Sequence, residues 1–138
     1  MRFIDTDVLF HAVVARDARR HQAAVEIVRH ALVAGRDAMT STGVMQELVL
    51  LLDGEPGATA EVIDSWLSRF YPLLRGELTM DVVRAALQLE LTCALDYRSA
   101  VTVAAAEKLG CAEIVSGRID QKLVRKLSIA IVDPFTPE

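Results

Sequence analysis

The chain has 138 residues, 52% of them hydrophobic and 25% charged, with a formal net charge of −4. That length and apolar content suit one compact domain over residues 1–138 and argue against a second, while a pI near 5.4 excludes a general polyanion-binding surface and confines any RNA or DNA contact to a local patch. No apolar run approaches the ~20 residues that cross a bilayer, and Asp5 and Asp7 interrupt the apolar core a signal peptide would need, so a cytoplasmic location and no membrane partner are expected.

In chain order, Arg2 to Asp5 reads as a short strand. It runs at once into a helix over Thr6 to Val14 whose apolar positions Val8, Leu9, Ala12 and Val13 share one face. Asp17 opens a second helix that runs to about Ala34 and stops at Gly35, and a short strand, Ala38 to Thr40, follows. Ser41 or Thr42 caps the next helix, which breaks at Asp53-Gly54-Glu55-Pro56-Gly57. A helix over Ala58 to Tyr71 carries Val62, Ile63, Trp66, Leu67 and Phe70 on one stripe, Pro72 to Leu78 is extended, and Thr79 caps a further helix. A small-residue helix from Asp96 to Leu109 ends at Gly110. A strand over Glu113 to Ser116, a short helix near Asp120 to Lys126 and a strand over Ile129 to Val132 complete the pattern. Strands alternating with helices predict an α/β fold with a mostly parallel sheet covered on both faces.

Carboxylates in apolar surroundings are the candidate functional groups. Asp5 ends the first strand, and ligands of open α/β sheets bind beyond the carboxyl ends of strands. Glu47 lies among Val44, Met45, Leu48 and Val49 early in a helix that follows the second strand. If buried it must be paired, hydrogen-bonded or metal-bound; if it faces solvent, the helix dipole alone favours it there. Cys93 and Cys111 form no Cys-x-x-Cys pair and read as small buried hydrophobes. His11, His21 and His30 are too scattered for a metal or catalytic cluster.

Three segments together resemble PIN domains, especially VapC-type toxin ribonucleases: Phe3-Ile4-Asp5-Thr6-Asp7-Val8-Leu9, then Ser41-Thr42-Gly43-Val44-Met45-Gln46-Glu47-Leu48, then Ala100 to Cys111. The resemblance spans nearly the whole chain and implies a three-layer α/β/α fold. It matches Asp5 to the family's first metal-binding Asp and Thr6 to the Thr that follows. Asp7 falls where Asn is usual, and Glu47 on the acid of the helix after the second strand. The activity implied is hydrolysis of RNA phosphodiesters by water activated on Mg²⁺ or Mn²⁺, since hard divalent ions prefer carboxylate oxygens and lower the pKa of bound water. An antitoxin protein and a homodimer are the partners implied beside RNA.

Two expected acids are replaced. The third Asp of the family directly precedes the pair that Ala100-Val101 matches, and Ser99 stands there. In Ser116-Gly117-Arg118-Ile119-Asp120, Arg118 occupies the first acid position after the last core strand and only Asp120, matching the second, survives. Asp96, three residues before Ser99, either reaches over the helix start as a substitute ligand or caps the helix. Asp120 likewise is either a ligand or a cap. The metal set is therefore Asp5, Glu47 and Asp120, with Asp96 as a further catalytic acid and Thr6, Asp7, Ser99, Ser116 and Arg118 in support.

Arg118 also offers a cation within reach of Asp5 and Glu47. A guanidinium can pair two carboxylates much as a metal neutralises them, so a second reading is a non-catalytic PIN domain that binds RNA or protein. Arg118, Lys122, Arg125 and Lys126 would form one basic face on a helix, for RNA phosphates or merely for solvent. Asp5-Thr6-Asp7 also resembles the Asp-x-Asp start of haloacid-dehalogenase-type phosphatases, but only Lys108, Lys122 and Lys126 are available downstream and the late acid pair is missing.

Overall fold

The computed structural model describes residues 1–34 and 37–136; the helix stop expected at Gly35 lies outside them. Strand β1 (Arg2–Ile4) is the centre of the sheet, and its Phe3 and Ile4 side chains are fully buried. It pairs in parallel with β2 (Ala38–Ser41) on one side and β4 (Glu113–Val115) on the other. Outer strands β3 (Leu74–Gly76) and β5 (Ala130–Val132) complete a five-stranded, all-parallel sheet of order β3-β2-β1-β4-β5.

Local chemistry starts most helices where the sequence predicts. In α1 (Thr6–Val13), Asp5 keeps an extended backbone and its carboxylate accepts the Thr6 N–H, while Val8, Leu9 and Ala12 turn into the core. Helix α2 (Ala18–Ala34) buries only the narrow stripe Ala24, Val28 and Ala31, and α3 (Thr42–Leu52) buries Val44, Leu48 and Leu52, one residue per turn. Thr59, Thr79 and Asp96 cap α4 (Ala60–Phe70), α5 (Met80–Cys93) and α6 (Tyr97–Lys108), each accepting a backbone N–H three residues on.

Two segments differ from expectation. Residues 72–78 are not one extended run: a 3₁₀ turn at Tyr71–Leu73 precedes the short β3, with Pro72 at the start of the turn. The α-helix expected near Asp120 to Lys126 is a 3₁₀ turn over Gln121–Val124. The 3.6-residue period needed for one basic face is therefore not present, and Arg118 turns inward instead. The Ile63 to Phe70 stripe serves the core: Ile63 and Phe70 are buried and Trp66 stacks on Phe70 with ring centroids 5.8 Å apart.

Parallel crossovers are right-handed, so the outward steps β1 to β2 to β3 put α1 to α4 on one face, and the return to β4 and β5 puts α5 and α6 on the other. The packing agrees: α1 lies against α2 and α3, and α5 against α6. The strand order reverses direction between β1 and β4. Their carboxyl ends, Asp5 and Ser116, therefore flank the crevice where open α/β sheets bind ligands.

Candidate functional site

Asp5 is the hub of this crevice. It has no exposed surface, yet its carboxylate accepts from five donors. Oδ1 takes the Thr6 N–H at 2.8 Å, the Thr102 hydroxyl at 2.9 Å and Arg118 Nη2 at 3.1 Å; Oδ2 takes the Ser116 hydroxyl at 2.7 Å and Arg118 Nε at 2.8 Å. A carboxylate offers about four lone-pair positions, so this one is saturated.

Four elements converge to make these contacts. The strand-to-helix junction holds Asp5 and Thr6; α6 supplies Thr102, and the loop after β4 brings Ser116 and Arg118. Ser116 also fixes the loop, because its oxygen accepts the Arg118 N–H at 3.2 Å and the Ile119 N–H at 3.4 Å while its hydroxyl donates to Asp5. The α6 helix approaches closely because its inward face is Ser99, Ala100, Thr102, Val103 and Ala106, all buried and mostly small.

Arg118 reaches past Asp5 to Glu47. Its Nη1 lies 3.3 Å from Glu47 Oε1, and its Nη2 donates to Oε2 at 3.5 Å and to the Thr102 hydroxyl at 3.3 Å. One guanidinium thus spans both carboxylates from the side. A second cation, Arg98 at the start of α6, pairs with Glu47 Oε1 through Nε at 3.0 Å and through Nη2. Burial alone would lower the Arg118 pKa, but hydrogen bonding to Asp5 and attraction by Asp5, Glu47 and Asp7 outweigh it and hold the group above its usual value.

Asp7 stands in the first turn of α1, its Oδ2 accepting the Gly117 N–H at 2.8 Å. Its Oδ1 and the Thr6 hydroxyl are buried without a hydrogen-bond partner among the described residues. Burial first, then the charge of Asp5, pushes the Asp7 carboxyl up to about 7 against the pull of the Gly117 N–H and Arg118. A protonated Asp7 has nearly the shape and polarity of the Asn usual there.

Of the predicted acids, Asp5 and Glu47 come together. Asp96 caps α6, its Oδ2 accepting the Ser99 N–H at 3.3 Å. Burial opposes its ionisation, but the hydrogen bonds from Ser99 and the charge of Arg118 prevail and lower its pKa. Asp120 caps the 3₁₀ turn, accepting the Lys122 N–H at 2.9 Å, and no hydrogen bond or ion pair joins it to Asp5, Glu47 or Arg118. Ser99 is buried. Two contributors escape sequence reasoning. Thr102 has a faint signal, as the lone polar residue in the run Ala100 to Ala106, one turn beyond Ser99; Arg98 has none.

A hard divalent ion needs several open carboxylate oxygens. Here Asp5 is saturated, Glu47 is held by two arginines, and Ser99 and Arg118 stand where two further acids would be. Among the described residues no three His, Cys, Asp or Glu side chains form a metal-holding group. The residues present do not fit Mg²⁺ or Mn²⁺. A buried, saturated Asp5 is equally unsuited to be a phosphatase nucleophile.

No curated protein matches the chain in sequence. Solved structures do resemble it. FitAcB from Neisseria gonorrhoeae superposes with a TM-score of 0.66 at 14% identity, covering 97% of this chain and 98% of that one. The Mycobacterium tuberculosis toxin VapC20, which cleaves the sarcin–ricin loop, superposes with a TM-score of 0.67 at 20% identity over 92% and 95% of the two chains. VapBC2 from Rickettsia felis, bound to a fragment of promoter DNA, gives 0.65 at 13% identity over 94% and 96%. These likenesses establish the fold. The sequence pattern of the PIN domain matches residues 2–127, and the chain belongs to the PIN-domain family.

Proposed function

We propose that this chain is a VapC-type PIN domain that works by binding, with RNA and an antitoxin-like protein as its partners, while its phosphodiester chemistry is silent. One observation carries this reading: the Arg118 guanidinium bridges Asp5 and Glu47, with Nε 2.8 Å from Asp5 and Nη1 3.3 Å from Glu47. Metal-assisted hydrolysis needs carboxylate oxygens free to hold an ion that activates water and neutralises the phosphoryl group. Here the guanidinium provides the neutralisation and takes up those oxygens. The protein partner is inferred from relatives solved as FitAB and VapBC2 assemblies on DNA.

A hydrolytic reading keeps one point in its favour, because Asp5 and Glu47 still face each other at the switch point of the sheet. Incubating a mixed RNA pool with Mn²⁺ separates the two. The binding reading expects the wild type to retain RNA on a filter without cleaving it, and Arg118→Asp combined with Ser99→Asp to gain cleavage. Mn²⁺-dependent cleavage by the wild type that Asp5→Ala abolishes would establish the hydrolase instead. The family resemblance further implies a cytoplasmic homodimer, for which sedimentation equilibrium is the test.

A further inference from the structure

The acid pair poses an electrostatic problem that this chain solves with an arginine. Asp5 has no exposed side-chain surface and Glu47 only 16%. Two carboxylates so placed repel each other and have lost most of their hydration, so an unpaired state would carry a heavy desolvation penalty. Arg98 already answers Glu47 from the α6 side, and Asp5 still needs a cation. All three guanidinium nitrogens of Arg118 meet that need, and the group lies where the strands' carboxyl ends would present an ion. The loop that delivers it is anchored by Ser116, itself hydrogen-bonded to Asp5.

We propose that Arg118 is a built-in cation standing in for the divalent ion of the fold. It ties β1, α3, α6 and the loop after β4 together, and it makes their cohesion independent of metal. Removing its side chain opens a cation site on Asp5 and Glu47 that accepts Mn²⁺ or a free guanidinium ion. The inference rests on the reading that the acid pair is closed in the wild type.

Thermal unfolding of the wild type, Arg118→Ala and Arg118→Lys, each with and without millimolar Mn²⁺ or guanidinium, tests it. Arg118→Ala is expected to unfold well below the wild type and to regain roughly 5–10 °C in either ion at about a hundred times its Kd. The wild type and Arg118→Lys, which keep a cation, should not respond. Adding Asp5→Asn to Arg118→Ala should abolish the recovery. If Arg118→Ala folds only in the presence of either ion, its recovery as soluble protein on adding that ion gives the same answer. Indifference of Arg118→Ala to both ions, no soluble protein with either, or stabilisation of the wild type by Mn²⁺, would overturn the proposal. RNA retention is not read here, so a chain that fails to bind RNA leaves this inference standing, and an Arg118→Ala variant indifferent to both ions leaves the binding reading standing.

Discussion

Replacing Arg118 with Met probes how far the fold depends on its internal cation. Methionine keeps an unbranched apolar stem along the path of the arginine but removes every hydrogen bond from Arg118 to Asp5, Glu47 and Thr102. Asp5 would keep only the Thr6 N–H and the hydroxyls of Thr102 and Ser116, with Glu47 nearby and no cation on the Asp5 side. Breaking a buried ion pair by removing one partner costs about 3–5 kcal/mol. The value should approach that range because the Asp5 side chain is fully buried and that of Arg118 only 21% exposed. A matched control is Arg2→Met. Arg2 pairs with Glu113 at 3.1 Å, but those side chains are 38% and 44% exposed, and such a surface pair is worth about 0–1 kcal/mol. Urea unfolding near pH 7.5, read by far-UV circular dichroism with equal m-values required, compares the two. A loss for Arg118→Met no larger than that for Arg2→Met would refute the reasoning.

Two further perturbations read the surroundings of the site. The Asp7 carboxyl, raised from 3.8 to about 7, is ionised in the unfolded chain at pH values where the folded chain holds it neutral. Its effect on stability is nil below about pH 4, becomes more unfavourable as pH rises from 4 to 7, and levels off above that, at a total of about 4 kcal/mol from ~1.4 kcal/mol per unit. Asp7→Asn should therefore be more stable than the wild type at pH 8, and stability curves that do not diverge between pH 4 and 7 would contradict this. At Gly117, an added Cβ would lie 2.5 Å from the Phe135 ring, so Gly117→Ala is expected to lose about 1–3 kcal/mol, part of it recovered in Gly117→Ala/Phe135→Ala by thermal unfolding.

How much was legible before folding depends on how local each determinant is. The run Phe3-Ile4-Asp5-Thr6 encodes a buried strand, its end and the helix that follows, because burial and capping act over neighbouring residues. Thr79 and Asp96 are legible for the same reason, since each cap bonds a backbone N–H three residues away; the cap at Thr59, which starts its helix two residues after the expected Ala58, is not. The site is another matter. Thr102 and Arg118 reach Asp5 across 97 and 113 residues of sequence, and no periodicity marks which polar residue of the small-residue helix will face the crevice. Arg118 stands out only against a pattern that expects an acid there. Arg98 answers Glu47 from across the α3–α6 contact and leaves no trace in its neighbours. The 3₁₀ turns at Tyr71–Leu73 and Gln121–Val124 escape because short apolar and basic spacings suit an α-helix or an extended run equally well.

The central claim is that Arg118 holds the acid pair closed to metal, and calorimetric titration of the wild-type chain with Mn²⁺ tests it most directly. No saturable heat is expected at millimolar Mn²⁺, in the wild type or in Asp5→Ala. Stoichiometric binding by the wild type that disappears in Asp5→Ala would contradict it.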